Sequence, residues 1–257
     1  MQDSGYTPHE VVDILAAEDH RAYIAYKGSQ AVGFCSCFIT FGMDGTQLEI
    51  DMLGVIPEHR GRGVATAMVE QALMDAQAEG IGQARALVRM SNSASQGVFR
   101  RLGFQPNSGQ GAECSDRPTD VQMLVYDLND TPPPGGETLQ EGWQVERHAQ
   151  GHGAEIWRMY DERGRRLAEA ETQQVQTLSY AGFWLETLWA DTPAALRAMT
   201  DMVVQEAARR GLDEVGYLAP QPRGTHGDIG AGCIELWADW IRVGWYQIWK
   251  KRLDFTT

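Results

Sequence analysis

The chain has 257 residues, 43% hydrophobic and 22% charged, with a formal net charge of −13. That length suits one large domain or two of roughly 100–150 residues, and the negative charge argues against sequence-independent binding to nucleic acid or an anionic membrane surface. No apolar run is long enough to cross a bilayer and the start, MQDSGYTPHE, lacks a signal-peptide pattern, so the expected location is cytoplasmic. Cys35, Cys37, Cys114 and Cys233 form no CxxC pair and no disulfide framework, which suits a reducing compartment.

In chain order, YTPHEVVDILAAED predicts a capped helix, with Thr7 as N-cap, Pro8 in the first turn and Glu10 at the capping-box position. RAYIAYKGSQAVGFCSCFI predicts two strands around a turn at Lys27-Gly28-Ser29. Alternation puts Cys35 and Cys37 on one face, where packing accounts for them. TQLEIDMLGV predicts a third strand. The helix after it carries Val64, Met68, Ala72 and Ala76 at spacing four and ends near Gly80, and ARALVRM predicts the next strand.

DTPPPGGE, residues 130–137, cannot extend a helix or a central strand and reads as a linker. All eight tryptophans follow it. The second half repeats the first. EIWRMYDERGRRLAEAETQ is a hairpin around Asp161 to Arg165, GFWLETLWA matches TQLEIDMLGV, and a helix with Leu196, Met199, Val203 and Ala207 ends near Gly211 before EVGYLAP. RRLGF and IRVGW are read as matching closures. The expectation is a tandem duplication of α/β domains, residues 1–130 and 137–257, joined by 131–136. The tryptophans are expected to pack cores. His148 and His152 fall in an expected loop with no metal role, and Gly227–Gly232 in an expected surface loop.

Between the third strand and its helix stands Arg60-Gly61-Arg62-Gly63. A loop of small residues entering a helix leaves backbone N–H groups pointing outwards, and the helix dipole adds roughly half a positive charge there. Glycine allows close approach, and arginine suits phosphate, so the loop reads as a pyrophosphate site.

At these residues the sequence resembles the GNAT superfamily of N-acetyltransferases, whose R/Q-x-x-G-x-G/A signature reads here Arg60-Gly61-Arg62-Gly63-Val64-Ala65 after Val55-Ile56-Pro57. The later family features are matched by Asn92, Phe99 and Leu102-Gly103-Phe104. The resemblance covers roughly residues 20 to 128. It implies two tandem GNAT-like domains, each a mixed, mostly antiparallel sheet with flanking helices, and acetyl-CoA as cofactor. Amides of Gly61, Arg62, Gly63, Val64, Ala65 and Thr66 would hold its diphosphate, with Arg60 and Arg62 adding charge beside them. Main-chain groups of Leu53, Gly54 and Val55 would pair with the pantetheine arm along a strand edge opened by splaying, and Asn92 would touch the cofactor near that arm. Phe99 stands where many members carry a tyrosine that returns a proton to the thiolate; here that hydroxyl is absent.

Acetyl transfer to an amine requires a proton acceptor, because a free alkylamine holds its proton about three pH units above neutrality. Glu49 and Asp51 lie two residues apart on the strand entering the loop and share a face by alternation. The family habit of placing the base near the start of this strand favours Glu49. The second half replaces the glycine loop with Asp191-Thr192-Pro193, an N-cap and first-turn proline, and is expected not to bind CoA. It is expected to help complete the acceptor site, since the N-terminus is short for the family. The expected acceptor is a small-molecule primary amine, with a peptide or protein amine as the rival, attacking directly in a ternary complex; the competing reading is a non-catalytic CoA-binding or regulatory module, and a homodimer is compatible with the sequence.

Overall fold

The computed structural model describes residues 6–42, 45–106, 120–135, 139–220 and 239–253. Cys114, Cys233, Trp237 and the Gly227–Gly232 stretch lie outside the described residues. The described chain contains a helix α1 (Pro8–Leu15), strands β1 (His20–Lys27), β2 (Gln30–Gly42) and β3 (Gly45–Val55), a 3₁₀ turn (Pro57–His59), α2 (Val64–Ala78), β4 (Gln83–Arg89), α3 (Ser93–Arg101), a short β5 (Gln105–Pro106) and β6 (Asp120–Asp127). After the proline segment come β7 (Gln144–Gly151), β8 (Ala154–Tyr160), β9 (Arg166–Gln176), β10 (Ala181–Ala190), α4 (Pro193–Arg209), β11 (Glu214–Pro220) and β12 (Ile241–Arg252). None of these helices is long and apolar enough to cross a membrane.

The chain divides into two compact units. The first comprises Tyr6–Asp120 and Tyr246–Thr257, with strand order β1-β2-β3-β4-β12 and β5 on β12. Only β3–β4 is parallel; the other pairs are antiparallel. α2 covers this sheet. Met68, Val69, Ala72, Leu73 and Ala76 share a core with Cys35, Cys37, Leu48, Ile50, Val88 and Trp249. The approach is close at Gly33, where a Cβ would lie 2.9 Å from both Val64 Cγ1 and Met68 Cε. α1 starts as expected, with Glu10 N–H donating to Thr7 Oγ1 at 3.4 Å and Thr7 N–H donating to Glu10 Oε2 at 2.6 Å.

The second unit spans Val121–Trp245, with strand order β6-β11-β10-β9-β8-β7 and again one parallel pair, β10–β11. Leu196, Met199, Val203 and Ala207 of α4 pack on Trp157, Met159, Phe183 and Leu185. The units match in detail. β3 and β4 pair over four residues, the last being Ile50 with Ala86, and β10 and β11 pair over four, the last being Leu185 with Tyr217. A bulge follows each ladder: the register of β3 on β2 shifts at Asp51, and that of β10 on β9 shifts between Leu185 and Thr187.

Several expectations need correction. The compact units differ from the linear halves because each parallel pair completes its sheet with a strand from far along the chain: β12 lies on β4, and β6 lies on β11. Trp249 is therefore in the first unit's core, not the second's. Residues 131–135 are held rather than loose, since Tyr126 Oη donates to Pro132 O at 2.7 Å and Gln205 Nε2 to Pro134 O at 3.0 Å. His148 is on a strand, β7, opposite Ile156, with His152 in the tight turn to β8. RRLGF ends α3, where Phe104 N–H donates to Phe99 O at 3.0 Å, whereas IRVGW lies inside β12. Those two closures are not equivalent.

Candidate functional site

The site begins where β3 and β4 part. Beyond Ile50 and Ala86 the strands stop pairing with each other, β3 continuing to Val55 against β2 and β4 to Arg89 against β12. Among the described residues the β4-facing edge of β3 after Ile50 thus has no strand upon it. At its end the chain turns through Pro57–His59, and Arg60 Nε donates to Val55 O at 2.9 Å, fastening the loop to the strand.

Gly61 (φ 71°) and Gly63 (φ 81°) then adopt left-handed backbone, which side chains resist, and a Cβ on either would meet nothing within 4 Å. Gly63 caps α2 with no side-chain hydrogen bond, so the first-turn amides have no partner from that source. A cleft of about 430 Å³ joins these parts, lined by Leu53, Gly54, Val55, Arg60, Gly61, Gly63, Val64, Ala65, Thr66 and Asn92 among others. Two sequence-proposed cofactor residues have side chains off this cleft. Arg62 lines an adjoining groove of about 400 Å³ that shares His59, Gly63 and Val64 with the cleft. Phe99 is only 3% exposed, its ring 5.1 Å from that of Phe104 in the core.

His59, Ala94, Ser95, Val98 and Arg101 also line the cleft and were missed. The signal for the last four was the helix beginning at Ser93: Asn92 Oδ1 accepts from Ser95 N–H at 3.1 Å, capping α3 beside the cleft.

The two carboxylates have unlike surroundings. Glu49 is 4% exposed; its Oε1 accepts from Arg85 Nε at 2.7 Å and from Thr40 Oγ1 at 3.0 Å. Glu49 is thus held in a buried ion pair with Arg85. Asp51 sits at the bulge just past the last β3–β4 pair and keeps exposed surface. Protein packed around its carboxyl, and secondarily the Glu49 charge, push its pKa up to about 6. Neither carboxylate lines the cleft itself. Among the described residues no group of His, Cys, Asp or Glu is placed to hold a metal ion.

Among the described residues the second unit has no such loop between strand and helix. Residues 56–63 separate β3 from α2, but only 191–192 separate β10 from α4, and Thr192 Oγ1 accepts from Ala195 N–H at 3.2 Å. The helix start is satisfied by its own side chain.

A strand edge left where β3 and β4 part thus leads into a glycine loop and a helix start with no side-chain cap. Residues 2–104 match the model of the acetyltransferase (GNAT) family. L-2,4-diaminobutyric acid acetyltransferase from Shouchella clausii (strain KSM-K16) is 33% identical over 84 residues, 33% of this chain and 47% of that protein. The chain thus spans about half the length of this curated relative. Among solved structures, a GCN5-related N-acetyltransferase from Sphaerobacter thermophilus is similar over 97% of this chain and 86% of its own, at TM-score 0.54 and 14% identity. The glucosamine N-acetyltransferase region of a fungal multi-domain GH3 beta-N-acetylglucosaminidase is similar over 94% of this chain and 34% of its own, at TM-score 0.54 and 13% identity. At these identities the likeness is one of fold.

Proposed function

We propose that the chain is an N-acetyltransferase that moves the acetyl group of acetyl-CoA to a primary amine of a small molecule, with both bound together and no covalent enzyme intermediate. The observation that carries this is the continuous cleft from the free edge of Leu53–Val55 to the uncapped start of α2. Acetyl-CoA supplies an activated acetyl thioester. In this reading, amides from Gly61 to Thr66 receive its diphosphate, and the open space at Gly61 and Gly63 admits it. The β3 edge orients the amide arm, one of its N–H groups facing the thioester carbonyl. Asp51 accepts the amine's proton, and Glu49 with Arg85 holds the sheet beneath.

The net charge of −13 draws cationic acceptors, and the Shouchella relative's name makes diamino acids the first acceptors to try. The expected units of descent are residues 1–130 and 137–257, with the second having lost the cofactor loop. A second reading, a CoA-binding module without turnover, is favoured by one observation: Phe99 has no hydroxyl and its ring is buried. Release of free thiol from acetyl-CoA across an amine panel containing L-2,4-diaminobutyrate separates the two. Turnover supports the transferase. Calorimetric binding of acetyl-CoA without thiol release supports the module, and no binding rejects both.

A further inference from the structure

Three elements build the groove that adjoins the cleft. The pairing of β1 with β2 shifts register between Ala25 and Tyr26, passing over Val32, and Val32 O accepts from Ile56 N–H at 3.1 Å. That bond ties the end of the hairpin to the chain entering Pro57–His59, while Gly33 lets Val64 and Met68 of α2 lie close against the same strand. Lys27 at the hairpin end, His59 of the turn and Arg62 of the loop thus border one space of about 400 Å³, with Tyr26, 63% exposed, beside them. Elsewhere in this acidic chain arginines are engaged with carboxylates, as at Arg21, Arg85, Arg147 and Arg158. Among the described residues neither Lys27 nor Arg62 enters an ion pair or a side-chain hydrogen bond. Cations gathered without a counter-charge repel one another, and an anion between them relieves that.

An ammonium and a guanidinium suit a phosphate dianion, and the volume suits a small ligand. The groove shares His59, Gly63 and Val64 with the cleft, so a ligand with its diphosphate on the Gly61–Thr66 amides enters the groove with its next group. In acetyl-CoA that group is a ribose bearing a 3′-phosphate. We propose that the groove is a phosphomonoester subsite in which Lys27 and Arg62 receive this 3′-phosphate and make the chain selective for the coenzyme over its 3′-dephospho form. Tyr26 offers the adenine a ring to stack on. The inference rests on the coenzyme reading above and names its specificity.

The test is calorimetric and needs no acceptor amine. It compares acetyl-CoA with 3′-dephospho-acetyl-CoA on wild type, Lys27→Gln, Arg62→Gln and Tyr26→Ala. All three residues are exposed, and melting temperature checks folding. Wild type should bind the dephospho form about 10–100-fold more weakly. Lys27→Gln should weaken acetyl-CoA about tenfold and the dephospho form by less than about twofold, a coupling that a general loss of positive charge does not give. Arg62→Gln should likewise lose more affinity for acetyl-CoA than for the dephospho form. Tyr26→Ala should weaken both alike, by about fivefold or more, since both carry adenine. Equal wild-type affinity for the two coenzymes, or equal losses in Lys27→Gln, overturns the subsite and leaves the coenzyme reading standing. Wild type that binds neither overturns both. Inorganic phosphate, followed by ³¹P NMR, separates the two sources of the anion: the coenzyme's own 3′-phosphate should exclude it from the acetyl-CoA complex. Uptake by the acetyl-CoA and dephospho complexes alike assigns the groove to a free phosphate and overturns the proposal.

Discussion

A carboxylate with an ordinary pKa near 4 is a weak match for an alkylammonium near 10, and every unit of mismatch adds about 1.4 kcal/mol to the proton transfer. At about 6, Asp51 narrows the gap by roughly two units while staying ionised at neutral pH. Asp51→Asn is therefore expected to lower kcat/KM by about 10²–10⁴-fold with acetyl-CoA binding retained. The reactive form is the deprotonated one. The wild-type rate should accordingly rise with pH through about 6, and that limb should vanish in the variant; a limb that persists belongs to another group. Both carboxylates were legible in the sequence, their unlike surroundings were not: the partner of Glu49, Arg85, lies 36 positions away, and a bulge leaves no composition signal. Phe99 was read by its place in a motif, whereas its environment is set by Phe104 folding back beyond Gly103.

At the level of elements, the contrast between α2 and α4 shows how one plan is used two ways. The Thr192-Pro193 signal for a self-capped helix and the Gly61/Gly63 signal for an open one were both readable, because caps and left-handed glycines are local chemistry. Splaying was inferred only by resemblance, since where a ladder stops depends on strands distant in sequence. Gly63→Ala should cost about 1–2 kcal/mol of stability for the forced φ, and its methyl should weaken acetyl-CoA binding at least tenfold. Thr192→Ala should cost about 1 kcal/mol and leave that binding untouched. Equal effects on binding would contradict the division of labour. In the second unit, Arg147, Arg209 and Arg210 converge on Glu206, and Arg209 foremost holds its pKa down to about 2. A depressed acid stabilises fully above its ordinary value of 4.5, and that contribution fades as pH falls through 2. Glu206→Gln should therefore lose roughly 2 kcal/mol at pH 7, allowing for the solvent around Arg209. By denaturant titration, the difference from wild type should shrink towards pH 2.

For the molecule as a whole, the exchange of closing strands ties the two halves of the sequence more firmly than a linker would. The duplication was visible from repeated periodicity, because each half writes its own strand–helix–strand pattern. Which strand closes which sheet was not, because β6 pairs with β11 and β12 with β4 across long stretches of sequence. A fragment ending at residue 136 would retain the cleft's residues but lose β12, and with it the Tyr246–Arg252 ladder on Arg89–Gln83, the Trp249 side chain from the core, and the Lys251 Nζ bond of 2.7 Å to Leu102 O at the end of α3. It would expose β4 as an apolar edge beside a cavity; emptying a buried tryptophan site alone costs about 3–5 kcal/mol, a large part of a small domain's stability. The fragment should be insoluble or melt far below the full chain. Fusing residues 239–253 to its C-terminus through a flexible linker should restore both solubility and acetyl-CoA binding, as read by circular dichroism and calorimetry. A fragment ending at 136 that folds cooperatively and binds acetyl-CoA as tightly as the intact chain would show that β12 is dispensable and that the linear halves are the true folding units.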